Sequence, residues 1–212
     1  MFPALYAILD PHLISTPLVP FAEKLAAVGV RLMQLRDKRS SAGRVFAVSK
    51  DLATALCPAG VKFIVNDRPD IAAIAGASGI HVGQDDLPPE DARRIVGAAR
   101  WVGVSTHSLE QFREAAATSA DYIAVGPIFP TASKENPDPV VGLELLREVR
   151  KLTTKPLVAI GGITLERAAD VFRAGADSVA VIRDLICAPD PAGRAQEYLA
   201  VAAAVVPERP RV

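Results

Sequence analysis

Cysteine and long apolar runs are both scarce in this sequence. Its two cysteines, Cys57 and Cys187, are far apart and lack the close spacing of a zinc site or a redox pair. We therefore expect no disulfide and no structural metal, and both residues should pack as small hydrophobic side chains in a reducing compartment. The longest apolar runs fall well short of the ~20 residues that span a bilayer, and the N-terminus lacks the basic region and cleavage site of a signal peptide. These absences predict a soluble, cytoplasmic protein without a membrane partner.

Net charge is absent as well. Lys and Arg together number 24, and Asp and Glu together also number 24, so the chain lacks the positive field of a nonspecific nucleic-acid binder. We expect no nucleic-acid partner. Half of the 212 residues are hydrophobic, which suffices for one folded domain with a sizeable core. We predict a single domain over residues 1–206 and a frayed tail, rich in Pro and Arg, over residues 207–212.

Short apolar runs alternate along the chain with longer segments of helical periodicity. The runs are typical of strands and cover residues 5–9, 30–34, 62–65, 79–82, 101–104, 122–125, 157–160 and 178–182. The helical segments cover residues 21–28, 42–56, 90–99, 109–117, 143–152 and 165–174. Ser108 and Gln111 have the spacing of a capping box, and Pro69 and Pro89 suit first helical turns. Gly175 follows its helix as a C-cap glycine does.

This alternation predicts an α/β fold with a parallel sheet, because most of the strands are apolar throughout and require a covering layer of helices. Eight strand signals favour a closed (β/α)8 barrel, the TIM barrel. A doubly wound open sheet is the alternative, but its first strand would normally be followed by Gly-x-Gly-x-x-Gly. Asp10-Pro11-His12 stands there instead.

Three polar residues alternate at the end of the second strand. In a barrel of this type, catalytic residues lie at the carboxyl ends of the strands. Gln34, Arg36 and Lys38 project to the same side of an extended backbone, so together they are suited to grip one multiply charged anion such as a diphosphate. The alternative is an ordinary solvated basic turn.

Carboxylates follow the third and fourth strands. Asp67 and Asp86 come from neighbouring strand ends, a geometry that lets two carboxylates share one Mg²⁺ while waters and phosphate oxygens complete its coordination. Asp85 competes with Asp86 for this role. The alternatives are structural: Asp67 as a helix N-cap before Pro69, and Asp86 as a loop cap before Pro88.

A glycine pair, Gly161 and Gly162, follows the seventh strand and precedes a helix. Bare backbone at that place can bring N–H groups close to a phosphate, although a tight turn would use the same residues. His107 is read either as a general acid or base or as a histidine bonded to the backbone. We rank His12 and His81 below it as functional candidates.

Six motifs occur in an order that resembles the thiamine phosphate synthase family. They are Gln34-Leu-Arg-Asp-Lys38, Asn66-Asp-Arg68, His81-Val-Gly-Gln-Asp-Asp86, Gly103-Val-Ser-Thr-His-Ser108, Gly126-Pro-Ile-Phe-Pro-Thr-Ala-Ser-Lys134 and Gly161-Gly-Ile163. The resemblance covers roughly residues 4–186. It implies a TIM-barrel transferase of thiamine biosynthesis that joins hydroxymethylpyrimidine diphosphate to a thiazole phosphate and releases diphosphate. If the thiazole carries a carboxylate, CO₂ is lost after coupling.

The resemblance also implies a role for each matching residue. The pyrimidine diphosphate site comprises Gln34, Arg36, Lys38, Asn66, Ser105 and Lys134, of which Arg36, Lys38, Ser105 and Lys134 are expected to act in catalysis. The magnesium ligands are Asp67 and Asp86, and the thiazole phosphate site comprises Thr131, Ser133, Gly162, Ile182 and Arg183. Two positions depart from the family pattern: Ser133 replaces a usual threonine, and Arg183 replaces a usual serine. The expected partners are thus small molecules, with a homo-oligomer left open.

The implied chemistry matches the absence of an obvious catalytic triad. Departure of diphosphate from an electron-rich aminopyrimidine leaves a stabilised cation, so the enzyme mainly neutralises charge on the leaving group. The thiazole nitrogen is its own nucleophile. Two alternatives remain: a thiazole tautomerase relative that uses a histidine near position 107, and a noncatalytic phosphate-binding barrel.

Overall fold

The computed structural model describes residues 1–131 and 138–205. Its sheet is built from β1 (Leu5–Leu9), β2 (Leu32–Leu35), β3 (Lys62–Asn66), β4 (Gly79–Val82), β5 (Trp101–Thr106), β6 (Tyr122–Val125), β7 (Leu157–Ile160) and β8 (Ser178–Val181). Each strand pairs in parallel with the next, and β8 pairs with β1 to close the barrel. The predicted (β/α)8 barrel is confirmed, and the open-sheet alternative is wrong.

Helices follow the strands and cover the outside of the barrel. In the described part of the chain they are α1 (Leu18–Ala27), α2 (Ala42–Leu56), α3 (Pro69–Ile74), α4 (Pro89–Val96), α5 (Leu109–Ala116), α6 (Gly142–Arg150), α7 (Leu165–Arg173), α8 (Arg183–Ile186) and α9 (Pro191–Val205). No helix within residues 1–131 and 138–205 is long and apolar enough to cross a membrane.

Local sequence signals explain several helix ends. The Ser108 side chain accepts a hydrogen bond from the Gln111 backbone N–H at 3.2 Å, as the capping-box spacing predicts. In a capping box the residue at Gln111 would accept from the Ser108 N–H. Here the Gln111 amide oxygen instead accepts from the N–H of the preceding residue, His107, at 2.7 Å. Pro69 and Pro89 open α3 and α4 as expected. Gly175 has a positive φ of 111°, which its predicted place after α7 requires.

Two apolar cores lie on the two faces of the sheet. The outer core joins strand and helix side chains, for example Leu9, Leu25 and Phe63. The inner core fills the barrel and comprises Tyr6, Ile8, Leu32, Ile64, Tyr122, Ala124, Val158 and Ala180. Because both faces of the strands are covered, the strands are apolar at nearly every position, which is the pattern seen in the sequence.

Some expectations differ from the structure. The sequence pattern did not predict α9, whose alanine-rich sequence buries only Ala195, Tyr198 and Ala202 and has a weak apolar stripe. The segment after β3 forms the short α3. Cys57 packs against the outer core as expected, but the expectation for Cys187 is wrong, because it ends α8 with its side chain exposed. The predicted tail lies outside the described residues.

Polar side chains tie the strands together at the amino end of the barrel. Asp177 precedes β8, and its Oδ2 accepts from the Leu157 N–H of β7 at 2.9 Å and from Arg150 Nη1 at 2.7 Å. Asp121 precedes β6 and accepts from the Val102 N–H of β5 at 2.7 Å. These bonds satisfy one backbone N–H group near the start of β5 and one at the start of β7.

We predict that Asp177→Ala lowers the free energy of unfolding by about 2–4 kcal/mol, because it leaves the Arg150 guanidinium without its carboxylate in a mostly buried place. The side chains of Asp177 and Arg150 are each 16% exposed. The matched control is Asp170→Ala, which removes an exposed ion pair with Arg173 and should cost less than about 0.5 kcal/mol. Urea unfolding measures both, and equal losses would contradict the prediction.

Candidate active site

A cavity of about 820 Å³ opens at the carboxyl ends of the strands. Its floor is formed by side chains that point into the barrel, including Tyr6, Ile8, Gln34 and Val158. Loops after the strands form its walls. The volume lies within the range of roughly 300–1,000 Å³ that is typical of small-molecule sites.

The described residues that the sequence assigned to the site all line this cavity. They are Gln34, Arg36, Lys38, Asn66, Asp67, Asp86, Ser105, Thr131, Gly162, Ile182 and Arg183. The competing candidates Asp85 and His107 line it too. Ser133 and Lys134 lie outside the described residues, so their place in the site stays a prediction.

A lysine and two carboxylates meet on one wall of the cavity. Lys38 Nζ lies 3.1 Å from Asp67 Oδ2. Burial raises the pKa of Asp67, and a hydrogen-bonding contact with the Asp86 carboxyl raises it further, while Lys38 acts in the opposite direction. Asp67 also has a positive φ of 61°, an uncommon conformation for a residue with a side chain. Such strain is typical of functional positions.

The helix-cap alternative for Asp67 is not supported, whereas Asp86 makes the kind of loop bond that its structural alternative expects. The N-cap of α3 is Arg68, without a side-chain cap bond, so Asp67 does not cap the helix. Asp86 Oδ2 accepts from the Gly83 N–H at 2.8 Å, which is a bond within its own loop, while Pro88 is the N-cap of α4. Asp85 is exposed and Asp86 is half-buried. The carboxylate beside Asp67 is therefore that of Asp86.

A buried polar chain of five side chains, Gln34, Tyr6, Tyr122, His81 and Ser105, runs along the cavity floor. Gln34 Nε2 donates to Tyr6 Oη at 2.7 Å, and the hydroxyls of Tyr6 and Tyr122 are 2.9 Å apart. Tyr122 Oη lies 3.1 Å from His81 Nδ1, and His81 Nε2 lies 2.8 Å from Ser105 Oγ. Burial lowers the pKa of His81 to about 4, so the imidazole is neutral near pH 7.

Sequence reasoning ranked His81 too low and missed both tyrosines. Both His81 and His107 line the cavity. His107 Nδ1 also donates to the Gly126 carbonyl at 2.5 Å, which matches the backbone-bonded interpretation of His107. Side chains alternate between the two faces of a strand, so Gly79 and His81 lie on the same face of β4. In a strand that is apolar throughout, however, the sequence does not show which face points into the barrel. That information comes only from closure of the barrel.

His12 holds the loop that presents Arg36 and Lys38. Its Nε2 lies 3.1 Å from Asp37 Oδ1, which also accepts from the Arg39 and Ser40 N–H groups. Burial opposes ionisation of Asp37, but these hydrogen bonds outweigh it and lower its pKa to about 2. The charged Asp37 therefore fixes the loop conformation between the two cationic residues.

The glycine pair is required by close packing against the loop after β6. Gly161 and Gly162 have positive φ angles of 98° and 62°. A Cβ at Gly161 would lie 2.5 Å from Pro127 Cβ, and one at Gly162 would lie 2.3 Å from the Pro130 carbonyl oxygen. The positive φ angles and the close packing are what the tight-turn interpretation expects, and the same residues leave bare backbone at the cavity wall beside Thr164, the N-cap of α7. Arg167, which sequence reasoning missed, lines the same wall.

Comparisons with known proteins point to one family. A thiamine-phosphate synthase of Koribacter versatilis is 53% identical over 204 residues, covering 94% of this chain and 95% of that protein. One from Methanospirillum hungatei is 40% identical over 180 residues, covering 85% of this chain and 87% of that protein. A solved thiamine phosphate pyrophosphorylase from Pyrococcus furiosus superposes with a TM-score of 0.86 at 32% identity, covering 96% of each chain.

The family model described as thiamine monophosphate synthase matches residues 5–185, which span the barrel from β1 to α8. The order of motifs, the closed barrel and the relatives all indicate the same family. The chain therefore belongs to the thiamine monophosphate synthase family and is a transferase.

Proposed function

We propose that this chain couples hydroxymethylpyrimidine diphosphate with a thiazole phosphate at the cavity and releases diphosphate. The observation that carries this proposal is the meeting of opposite charges on one wall. Arg36 and Lys38 line the same cavity as the Asp67 and Asp86 carboxylates, and Lys38 Nζ lies 3.1 Å from Asp67 Oδ2. Cations alone would suit any anion, whereas cations together with paired carboxylates suit a diphosphate that arrives with a divalent cation.

The carboxylate pair fits Mg²⁺ in its donor chemistry. Among the described residues there is no group of three or more His, Cys, Asp or Glu side chains placed to hold a metal. Mg²⁺, however, commonly takes one or two carboxylates and completes its octahedron with water and substrate phosphates. Burial and the neighbouring Asp86 carboxyl raise the pKa of Asp67, and a divalent cation would favour the charged form of this carboxylate. When bound, it would neutralise negative charge on the diphosphate.

The chain's own residues would act mainly on the leaving group. The bond between the pyrimidine methylene carbon and the diphosphate oxygen breaks, and the electron pair leaves with the oxygen. Arg36 and Lys38 stabilise the charge that develops there, and Ser105 donates a hydrogen bond from the floor. Gln34 and Asn66 orient the pyrimidine diphosphate. Lys134, outside the described residues, is expected to contribute a further cation.

The second substrate supplies the nucleophile. The thiazole nitrogen attacks the pyrimidine cation and forms the new C–N bond, so no Ser, Cys or His nucleophile is needed. Its phosphate is assigned to the wall formed by Thr131, Gly162, Ile182 and Arg183, together with Ser133 outside the described residues. With a carboxylated thiazole, CO₂ would leave after coupling. The tautomerase and noncatalytic alternatives have no specific observation in their favour.

The direct experiment incubates purified protein with both substrates and Mg²⁺ and assays thiamine phosphate and released diphosphate. We expect both products in equal amounts, and we expect each to depend on both substrates. Omission of the thiazole phosphate serves as the control for simple hydrolysis. Folded protein that makes no thiamine phosphate would reject the proposal.

We predict that Asp67→Asn and Asp86→Asn each lower turnover at limiting Mg²⁺ by more than about tenfold, because each removes a ligand charge beside the diphosphate. The free energy of unfolding should change by less than about 1 kcal/mol, since the change also relieves repulsion between the carboxylates. Turnover is measured across a magnesium titration.

Asp85→Asn is the matched control, because Asp85 is the exposed neighbour of Asp86. It should leave the magnesium dependence unchanged. Normal turnover of Asp86→Asn at limiting Mg²⁺, combined with a defect in Asp85→Asn, would transfer the ligand role to Asp85.

We predict that Arg183→Ser raises KM for the thiazole phosphate by about tenfold, because a charged contact to phosphate is lost. Arg183 opens α8 and lines the cavity, while its neighbour Asp184 is held to α9 by the Tyr198 hydroxyl at 2.7 Å. Arg173→Ser is the control, since Arg173 forms an exposed pair with Asp170 on α7. A KM within about twofold of the parent protein would mean that Arg183 points into solvent.

A further inference from the structure

We propose that Tyr122 is a positioning residue for the coupling reaction, because its buried hydroxyl fixes His81 as the Nε2–H tautomer and thereby turns the Ser105 hydroxyl proton toward the substrate. Tyr122 acts through His81 and Ser105 rather than by touching substrate. The inference rests on the proposed function and adds a residue that stands two hydrogen bonds away from Ser105.

The donor and the acceptor of each hydrogen bond in the buried polar chain follow from the number of protons on each group. The Gln34 amide nitrogen can only donate hydrogen bonds, so Tyr6 Oη accepts from it at 2.7 Å. Tyr6 then has one proton of its own, and the neighbour available to accept it is the Tyr122 hydroxyl at 2.9 Å. The opposite direction would make Tyr6 accept both hydrogen bonds, and its own proton would have no acceptor among the hydrogen-bond partners of a side chain that is only 1% exposed.

The same counting continues to the serine. Tyr122 accepts from Tyr6 and so has its own proton for His81 Nδ1 at 3.1 Å. Because Nδ1 accepts this bond, it carries no proton, and the proton of the ring is on Nε2. Nε2–H donates to Ser105 Oγ at 2.8 Å. Ser105 Oγ thus accepts a hydrogen bond from His81, and its own proton is directed into the cavity that Ser105 lines.

The barrel is built to hold the phenol of Tyr122 in this place. Gly103 is in register with His81 on one side and with Tyr122 on the other. A Cβ at Gly103 would lie 2.0 Å from Tyr122 Cζ and 2.4 Å from its hydroxyl oxygen. Because Gly103 has no side chain, the His81 and Tyr122 rings stack over it with centroids 5.5 Å apart and planes at 27°. The tyrosine is fully buried, at 0% exposure.

A directed donor at Ser105 matters because the leaving group gains negative charge as its bond breaks. A hydroxyl that already accepts from His81 donates better, since the two bonds polarise each other. A donor fixed before the reaction also needs no reorientation in the transition state. Loss of this orientation should therefore reduce kcat more than it weakens substrate binding.

The test is Tyr122→Phe, which removes one oxygen atom and keeps the ring. ¹⁵N-labelled histidine reports the tautomer of His81 by NMR in the substrate-free protein, and steady-state kinetics are measured with both substrates. We expect the Nε2–H form in the parent and a mixture containing Nδ1–H in the variant. We expect kcat to fall by about tenfold or more, with KM for the pyrimidine diphosphate within about threefold.

Trp101→Phe is the control for disturbed packing. Trp101 packs edge-on against the Tyr122 ring, with centroids 6.4 Å apart, and it is not part of the buried polar chain. This variant should lose stability but keep the parent tautomer and a kcat within about twofold of the parent. Thermal unfolding of both variants separates a packing defect from a change in hydrogen bonding.

The outcomes separate this inference from the proposed function. A parent protein that makes no thiamine phosphate rejects the function, while the NMR spectrum still decides the tautomer. An active parent in which His81 carries its proton on Nδ1, or on both nitrogens, overturns the inference, even if Tyr122→Phe does not fold. An unchanged tautomer in Tyr122→Phe, or a kcat within about twofold of the Trp101→Phe control, overturns it as well.

Discussion

Backbone hydrogen bonds between β8 and β1 close the sheet, with Ala7 opposite Val181 on one side and opposite Met33 on the other. An open sheet would spread its strand ends along an edge, whereas closure brings eight carboxyl ends around one opening. Residues far apart in sequence, such as Gln34 and Arg183, therefore line the same cavity. Polar bonds at the opposite end, such as those of Asp121 and Asp177, satisfy strand N–H groups and leave the open end to binding.

The site combines two electrostatic regimes within one cavity. The wall holds full charges in contact with each other, and Lys38 partly compensates Asp67. The floor holds neutral groups, because burial lowers the pKa of His81 and raises the pKa values of both Tyr6 and Tyr122. In the proposed reaction the charged side chains of the wall would face the diphosphate, and the fixed dipoles of the floor would face the pyrimidine ring. This division suits a reaction that separates a cation from an anion.

Much of this arrangement was predictable from the sequence, for identifiable reasons. The alternation of Gln34, Arg36 and Lys38 predicted a shared side, and all three line the cavity. Asp67 and Asp86 followed from neighbouring strand ends, and the structure brings them together. The inward positions of Tyr6, Tyr122 and His81 were not predictable, because a strand that is buried on both faces has no polar alternation to mark its inner face. Helix α9 was missed for a similar reason, since alanine fits both core and surface.

The contact between the glycine pair and the loop after β6 links two parts of the site mechanically. The Phe129 N–H donates to the Gly161 carbonyl at 3.0 Å, and the Pro130 carbonyl occupies the space where a Gly162 side chain would lie. The segment that leads to Thr131 is therefore seated directly on the backbone that follows β7. Widening the cavity on this side therefore requires redesign of both loops as one unit, because a side chain introduced at Gly162 would displace Pro130 and, with it, Thr131, which lines the cavity.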